Sequence, residues 1–143
     1  MFKVNWLPAT TVLLKDRRVI AAWVFGSAQG GGVRPGSDLD LALLFGAPPS
    51  LDDRADLRAE LQEALGFEEI DLLVLNQATS LVTFEAVSGR RLFCRDEEAC
   101  AAFVSRAARE YEDELAFAGR GIALLSRCRK IEISDRLALP KGA

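Results

Sequence analysis

The chain has 143 residues, of which 50% are apolar and 27% charged, and its formal net charge is −3. This length and balance predict one globular domain, exclude a mostly disordered chain and, with no Lys/Arg-rich run, argue against direct nucleic-acid binding. No apolar run reaches the roughly 18 residues of a membrane span and no signal peptide is recognisable, so we expect a cytoplasmic protein without a membrane partner.

The first part of the chain predicts one helix and two strands around a glycine-rich loop. Residues 8–18 have the early proline and the basic last turn of a short helix. Residues 19–25 form a continuous β-branched and aromatic run, which is typical of a buried strand. A glycine-rich loop follows at residues 26–37, and residues 38–45 predict a second strand that "GAPPS" ends.

The middle of the chain predicts two helices and a third strand. Residues 51–66 have acids in the first turn, periodic leucines and a terminal glycine, which together indicate a helix. Residues 68–75 predict the third strand. Residues 79–89 predict another helix, and residues 90–94 a brief extended segment.

The last part of the chain predicts a long helix that starts at Asp96 and carries apolar residues along one face. Gly119 and Gly121 are expected to interrupt this helix, and roughly the last dozen residues to form a loose tail.

No repeat or linker divides the sequence, so residues 1–143 predict a single domain. Its core is expected at about 8–118, with the C-terminal helix and tail at about 119–143. The order of the elements predicts an α/β (α+β) fold in which helices pack against a small sheet.

Two carboxylates stand at alternate positions at the start of the second strand. Asp38 and Asp40 share one face, because side chains two apart in a strand point the same way. Two unit charges about 4 Å apart repel by roughly 4 kcal/mol at an effective dielectric of 20, so a cation is expected beside them. Oxygen ligands with open coordination positions are typical of Mg²⁺.

A third acid lies in the third strand. Asp71 reaches the same place if the second and third strands are neighbours, and Glu69, which shares its face, is the rival. Three carboxylates that hold two divalent ions suit an in-line attack on a phosphate. The candidate catalytic residues and metal ligands are therefore Asp38, Asp40 and Asp71, with two Mg²⁺ ions.

Candidate phosphate-binding residues flank the glycine-rich loop. Gly26 and Ser27 end the first strand, where the small residue lets a phosphate approach the backbone and the hydroxyl can donate to it. Ser37, directly before the acids, is either a turn residue or a further phosphate contact. Neither a Walker A motif nor a GxGxxG motif is present.

The sequence contains no histidine, which excludes Ser-His-Asp and Cys-His catalysis, HExxH metalloproteases and most zinc sites. Its three cysteines form no CxxC pair, which predicts reduced thiols rather than a disulfide framework. Carboxylates, hydroxyls, backbone amides and a bound metal are left to carry any chemistry.

The spacing of these residues resembles the minimal nucleotidyltransferase (MNT) branch of the DNA polymerase β-like nucleotidyltransferase superfamily, and within it the MntA-type antitoxins. The mark of that branch is GS, ten residues, DxD and a later acid. It matches Gly26, Ser27, Asp38, Asp40 and Asp71. The likeness continues from the third strand to "YED" in the long helix, and it implies a small mixed sheet flanked by helices.

The resemblance also implies a function. Proteins of this kind use ATP and Mg²⁺ to transfer AMP to a tyrosine of a partner HEPN ribonuclease toxin, which silences the toxin. The missing histidine agrees with this role, because the chain cannot itself be the HEPN nuclease.

One position departs from the family pattern. The family often has "GSxARG", whereas "GSAQGGG" has Gln29 and no arginine in this segment, and Arg34 is the candidate to replace the missing charge. Two alternatives to this function stay open. One is a catalytically weak antitoxin that neutralises its toxin by covering it, and the other is a nucleotidyltransferase for a small molecule such as an aminoglycoside.

Overall fold

A mixed sheet lies at the centre of the computed structural model, which describes residues 2–26, 32–33 and 36–133. The strands within these ranges are β1 (Phe2–Lys3), β2 (Val19–Phe25), β3 (Gly32–Val33), β4 (Leu39–Phe45), β5 (Ile70–Val74) and β6 (Arg90–Cys94). The helices are α1 (Leu7–Lys15), α2 (Leu51–Leu65), α3 (Ser80–Val87) and α4 (Glu97–Ile133).

Four of the strands form the main sheet in the order β5-β4-β2-β6. β2 is antiparallel to β4 and β6, whereas β4 and β5 are parallel, so the sheet is mixed as expected. β1 and β3 form a separate antiparallel pair. Periodicity does not predict this pair, because two residues are too few to show an alternation.

Helices cover both faces of the main sheet. On one face, Leu13 of α1 and Leu57 of α2 belong to the same buried cluster as Leu41 and Ile70 of the strands. On the other face, α3 and the first turns of α4 pack on the opposite side chains. That second cluster contains Trp23, Ala42, Leu44, Ala86, Cys100 and Phe103. The alternation of strand side chains therefore divides the core into two layers.

The C-terminal helix differs from the sequence-based expectation. α4 runs from Glu97 to Ile133, whereas Gly119 and Gly121 were expected to interrupt it. A glycine costs an exposed helix only about 1 kcal/mol relative to alanine, and good helix formers surround both positions, so the helix continues through them. The remainder of the expected tail, residues 134–143, lies outside the described residues.

The chain divides into two compact units, Met1–Ala108 and Arg109–Ala143. The first contains the main sheet, α1 to α3 and the start of α4, and the second contains the rest of α4. Among the helices that the structure describes, none combines the length and the hydropathy that crossing a bilayer requires.

Candidate active site

The register of β4 and β5 places two of the predicted acids side by side. The Leu39 N–H donates to the Glu69 carbonyl at 2.7 Å, and Asp40 is the direct partner of Asp71 across the parallel strands. Because neighbouring strands lie about 4.8 Å apart, the two carboxylates leave the sheet next to each other on one face. The expectation that the strands carrying these acids are neighbours is confirmed.

Gly26 lies against the Asp40 carboxylate. The antiparallel register of β2 and β4 pairs Phe25 with Asp40, so Gly26 follows directly beyond the acid. Its φ is +70°, and a Cβ built on it would lie 2.5 Å from Asp40 Oδ2. Only glycine combines this left-handed backbone with such a close approach of the backbone to the acid.

The surroundings of Asp40 shift the pKa of its carboxyl group. It is half-buried, whereas Asp38 and Asp71 are exposed. Burial raises the pKa of Asp40 above its ordinary value of 3.8, and the charges of Asp71, Asp38 and Glu85 raise it further. The site therefore gathers negative charge that a bound cation would relieve.

Glu85 is a member of this cluster that the sequence did not reveal. It is an exposed residue of α3, the helix whose Ala86 packs on the sheet face that also contains Ala42. Asp40 projects from that face, because it lies two positions from Ala42 in β4. No motif marks Glu85, and only the packing of α3 on the sheet brings its charge to the acids.

The remaining predicted site residues have different outcomes. Asp38 directly precedes β4, and Ser37 before it is half-buried. Ser27 lies outside the described residues, as do Gln29 and Arg34. The structure thus brings Asp38 to the end of the strand that carries the site, while the predicted roles of the two serines in phosphate binding stay predictions.

The donor chemistry fits magnesium. Asp40 and Asp71 supply carboxylate oxygens in register, and carboxylates are ligands that Mg²⁺ prefers. Within the described ranges, no three side chains of the metal-binding types are already grouped to hold an ion. Asp38 and Asp71 are exposed, so their carboxylates can change rotamer toward an ion without disturbing the core.

Two arginines of α2 hold the outer edge of β5. Arg58 Nε donates to the Ile70 carbonyl at 2.9 Å, and Arg54 Nη2 donates to the Leu72 carbonyl at 2.5 Å. Among the described strands β5 is the edge of the sheet, so these outward-facing carbonyls have no described strand beside them to bond with. The bonds fix both guanidinium groups at the carbonyls of the two residues that flank Asp71 in β5.

Two cavities open along this edge, and both include Asp71. The larger has a volume of about 860 Å³ and is lined by Asp38, Arg58, Gln62, Glu63, Glu68, Glu69, Ile70 and Asp71. The smaller has a volume of about 300 Å³ and is lined by Leu51, Arg54, Ala55, Arg58, Asp71 and Leu72. The first is dominated by carboxylates, and the second combines apolar and basic side chains.

Comparisons with known proteins agree with this architecture. The family model described as "Polymerase beta, Nucleotidyltransferase" matches residues 9–98. No curated protein sequence matches the chain.

Several solved structures are similar. A toxin–antitoxin structure with AMP-PNP has 22% identity and a TM-score of 0.67, with 84% of this chain and 98% of that chain covered. A structure described as a tri-AMPylated Shewanella oneidensis HEPN toxin in complex with MNT antitoxin has 21% identity and a TM-score of 0.59. The match covers 80% of this chain and 90% of that chain. A protein described as a minimal nucleotidyltransferase has 27% identity and a TM-score of 0.50, with 57% and 83% covered.

The matched residues span the end of β2 and the strands that carry Asp40 and Asp71, which are the positions where the sequence resembled the MNT branch. Fold, motif and family model thus agree. The chain belongs to the polymerase β nucleotidyltransferase family.

Proposed function

We propose that this protein is an antitoxin that uses Mg²⁺ and ATP to transfer AMP to a tyrosine of a HEPN ribonuclease toxin. The observation that carries this proposal is the register of Asp40 with Asp71, with the Gly26 backbone against the Asp40 carboxylate. Two relatives support it: a toxin–antitoxin structure with AMP-PNP, and a complex of an MNT antitoxin with a tri-AMPylated HEPN toxin.

Different residues of the site bind the nucleotide phosphates and the metal ions. Gly26 and Ser27 bind phosphate through the backbone and the hydroxyl, and Asp38, Asp40 and Asp71 hold the metal ions. Bound Mg²⁺ supplies positive charge to the triphosphate and lowers the pKa of an acceptor hydroxyl near it. Without such help the hydroxyl of tyrosine, with a pKa of about 10, is a poor nucleophile at pH 7.

The transfer itself is a displacement at the α-phosphorus. The phenol oxygen of the acceptor forms a bond to that phosphorus while the bond to the oxygen bridging to the β-phosphate breaks, which releases pyrophosphate. The phenol proton passes to the Asp71 carboxylate, because a chain without histidine offers a carboxylate as its base. The products are the adenylylated tyrosine and pyrophosphate.

Replacement of both strand acids tests the proposal. The double variant Asp38→Asn, Asp40→Asn should stay folded, with an unchanged or higher melting temperature because repulsion is removed, and should transfer no AMP. The measurement is the intact mass of a HEPN toxin after incubation with ATP and Mg²⁺. Asp56→Asn, an exposed position on α2, is the matched control and should transfer AMP normally.

The outcomes separate the alternatives. A double variant that unfolds would show that the acids hold the fold together, and one that still transfers AMP would remove them from catalysis. A wild-type protein that silences the toxin without ATP would favour the binding-only antitoxin. Transfer to an aminoglycoside and not to the toxin would favour the small-molecule enzyme.

A further inference from the structure

The order of the strands separates the two sides of the site. The end of β2 with Gly26 lies on one side of β4, and β5 with Asp71 lies on the other. In the proposed reaction the nucleotide phosphates bind toward Gly26. An in-line displacement places the nucleophile opposite the leaving group, so the acceptor hydroxyl approaches from the side of Asp71. The acceptor therefore comes over the outer edge of β5.

The smaller cavity opens at this edge and includes Asp71. Its volume of about 300 Å³ is enough for one aromatic ring. Leu51, Ala55 and Leu72 supply apolar lining, and Leu51 is 82% exposed. A ring in the cavity would cover this leucine and remove its apolar surface from water.

Two guanidinium groups complete the cavity. The bonds of Arg54 to Leu72 and of Arg58 to Ile70 hold them in place before any acceptor arrives. A planar guanidinium packs well on the face of an aromatic ring. Its positive charge also favours the phenolate that develops as the proton moves to Asp71.

The larger cavity on the same edge does not suit this ring. The side chains of Glu63, Glu68 and Glu69 give it a mainly anionic lining, which would repel a developing phenolate. The contrast between the two cavities therefore selects the smaller one for the reacting side chain.

We infer that the cavity formed by Leu51, Arg54, Ala55, Arg58, Asp71 and Leu72 binds the aromatic ring of the acceptor tyrosine, with its hydroxyl toward Asp71. This inference rests on the proposed function and adds to it the place where the acceptor is recognised.

Filling the cavity tests the assignment. Ala55→Phe places a ring in the cavity from an exposed helix position, so no buried contact is lost. The value of kcat/KM for AMP transfer to the HEPN toxin should fall at least about tenfold, because the acceptor can no longer reach its reacting position. Binding of AMP-PNP with Mg²⁺, measured by calorimetry, should not change. Toxin affinity without nucleotide should change less than the transfer rate.

Ala59→Phe is the matched control, since Ala59 is an exposed residue one turn further along α2 and does not line the cavity. It should behave as wild type. Normal transfer by Ala55→Phe overturns the acceptor subsite and leaves the proposed function standing. Loss of toxin affinity by the same factor as the rate also overturns it, in favour of a general docking contact. A wild-type chain that binds AMP-PNP but transfers no AMP overturns the proposed function, and the subsite with it.

Discussion

The acids of the site lie where they destabilise the folded chain. Two unit charges about 5 Å apart repel by roughly 3 kcal/mol at an effective dielectric of 20. Asp40 and Asp71 are direct partners across the parallel strands, and burial, together with the charge of Asp71, raises the pKa of Asp40. Gly26 adds a left-handed backbone in contact with the same carboxylate. Unfavourable local arrangements that persist in a fold are characteristic of functional sites.

At the same scale, the identity of the third acid can be tested. Asp71→Asn should keep nucleotide and toxin binding but lose AMP transfer at least about 10²-fold, the lower range for loss of a general base. Glu69→Gln should stay close to wild type, because the structural contact of Glu69 is its carbonyl, which accepts from Leu39. Initial rates and calorimetry on both variants measure this. The reverse pattern would make Glu69 the third acid.

At the scale of elements, the turn between α3 and β6 supports the end of β2. A Cβ built on Gly89 would collide with the Val24 carbonyl oxygen and would lie 3.1 Å from Phe25 Cα. These residues directly precede Gly26, so the contact helps to determine where the glycine meets Asp40. The packing of this turn on the end of β2 therefore affects the position of Gly26 in the site.

Gly89→Ala should therefore lower the free energy of unfolding by about 1–3 kcal/mol, the usual cost of overpacking, because the backbone of β2 must shift. AMP transfer should fall as well, since the shift displaces Gly26. Urea unfolding and initial rates are the measurements. Gly46→Ala is the control, because its Cβ would lie 3.7 Å from Ile20 Cδ1, an ordinary contact. Equal stability of the two variants would contradict this account.

At the scale of the whole molecule, arginine side chains join elements that are distant in the chain. Arg18 bonds Asp16 at 2.7 Å and Asp53 at 2.8 Å, which links the turn after α1 to the first turn of α2. Arg95, after β6, donates to the Leu14 carbonyl at 2.8 Å and to the Val19 carbonyl at 3.0 Å. The bond to Leu14 satisfies a carbonyl in the last turn of α1, and the bond to Val19 links the same side chain to the start of β2.

The bond between Arg18 and Asp16 predicts a dependence of stability on pH. The hydrogen bond from Arg18 holds the pKa of Asp16 below its ordinary value of 3.8. Its stabilisation is therefore complete above that value and is lost as the pH falls through the lower pKa of the folded protein. Asp16→Asn should cost about 0.5–1 kcal/mol at pH 7, since Arg18 is half exposed, and the difference from wild type should shrink below about pH 3.8. Thermal unfolding of the wild type and the variant at pH 7 and below about pH 3.8 measures this difference, with Asp56→Asn as control. A stability difference that does not change with pH would exclude the ion pair as its cause.

The sequence by itself determined the features that depend on neighbours along the chain. The buried strand of residues 19–25 is β2 without change of bounds, and the predicted helix of residues 51–66 is α2 to within one residue. The spacing from Gly26 to Asp38 and Asp40 was enough to indicate the family. The sequence-based prediction of a break at Gly119 was wrong, because a weak local propensity does not end an otherwise favourable helix.

The tertiary structure alone decided what lies beside what. Which residue of β5 lies opposite Asp40 depends on hydrogen bonds between strands that are far apart in sequence, such as the bond from Leu39 to Glu69. A register shift of one residue would turn Asp71 to the other face of the sheet. Glu85 reaches the acids, and Gly89 contacts the end of β2 beside them, only because α3 and the turn after it pack on the sheet. Such contacts join residues far apart in sequence, and their free energy exists only when the whole chain has folded, so no local pattern records them.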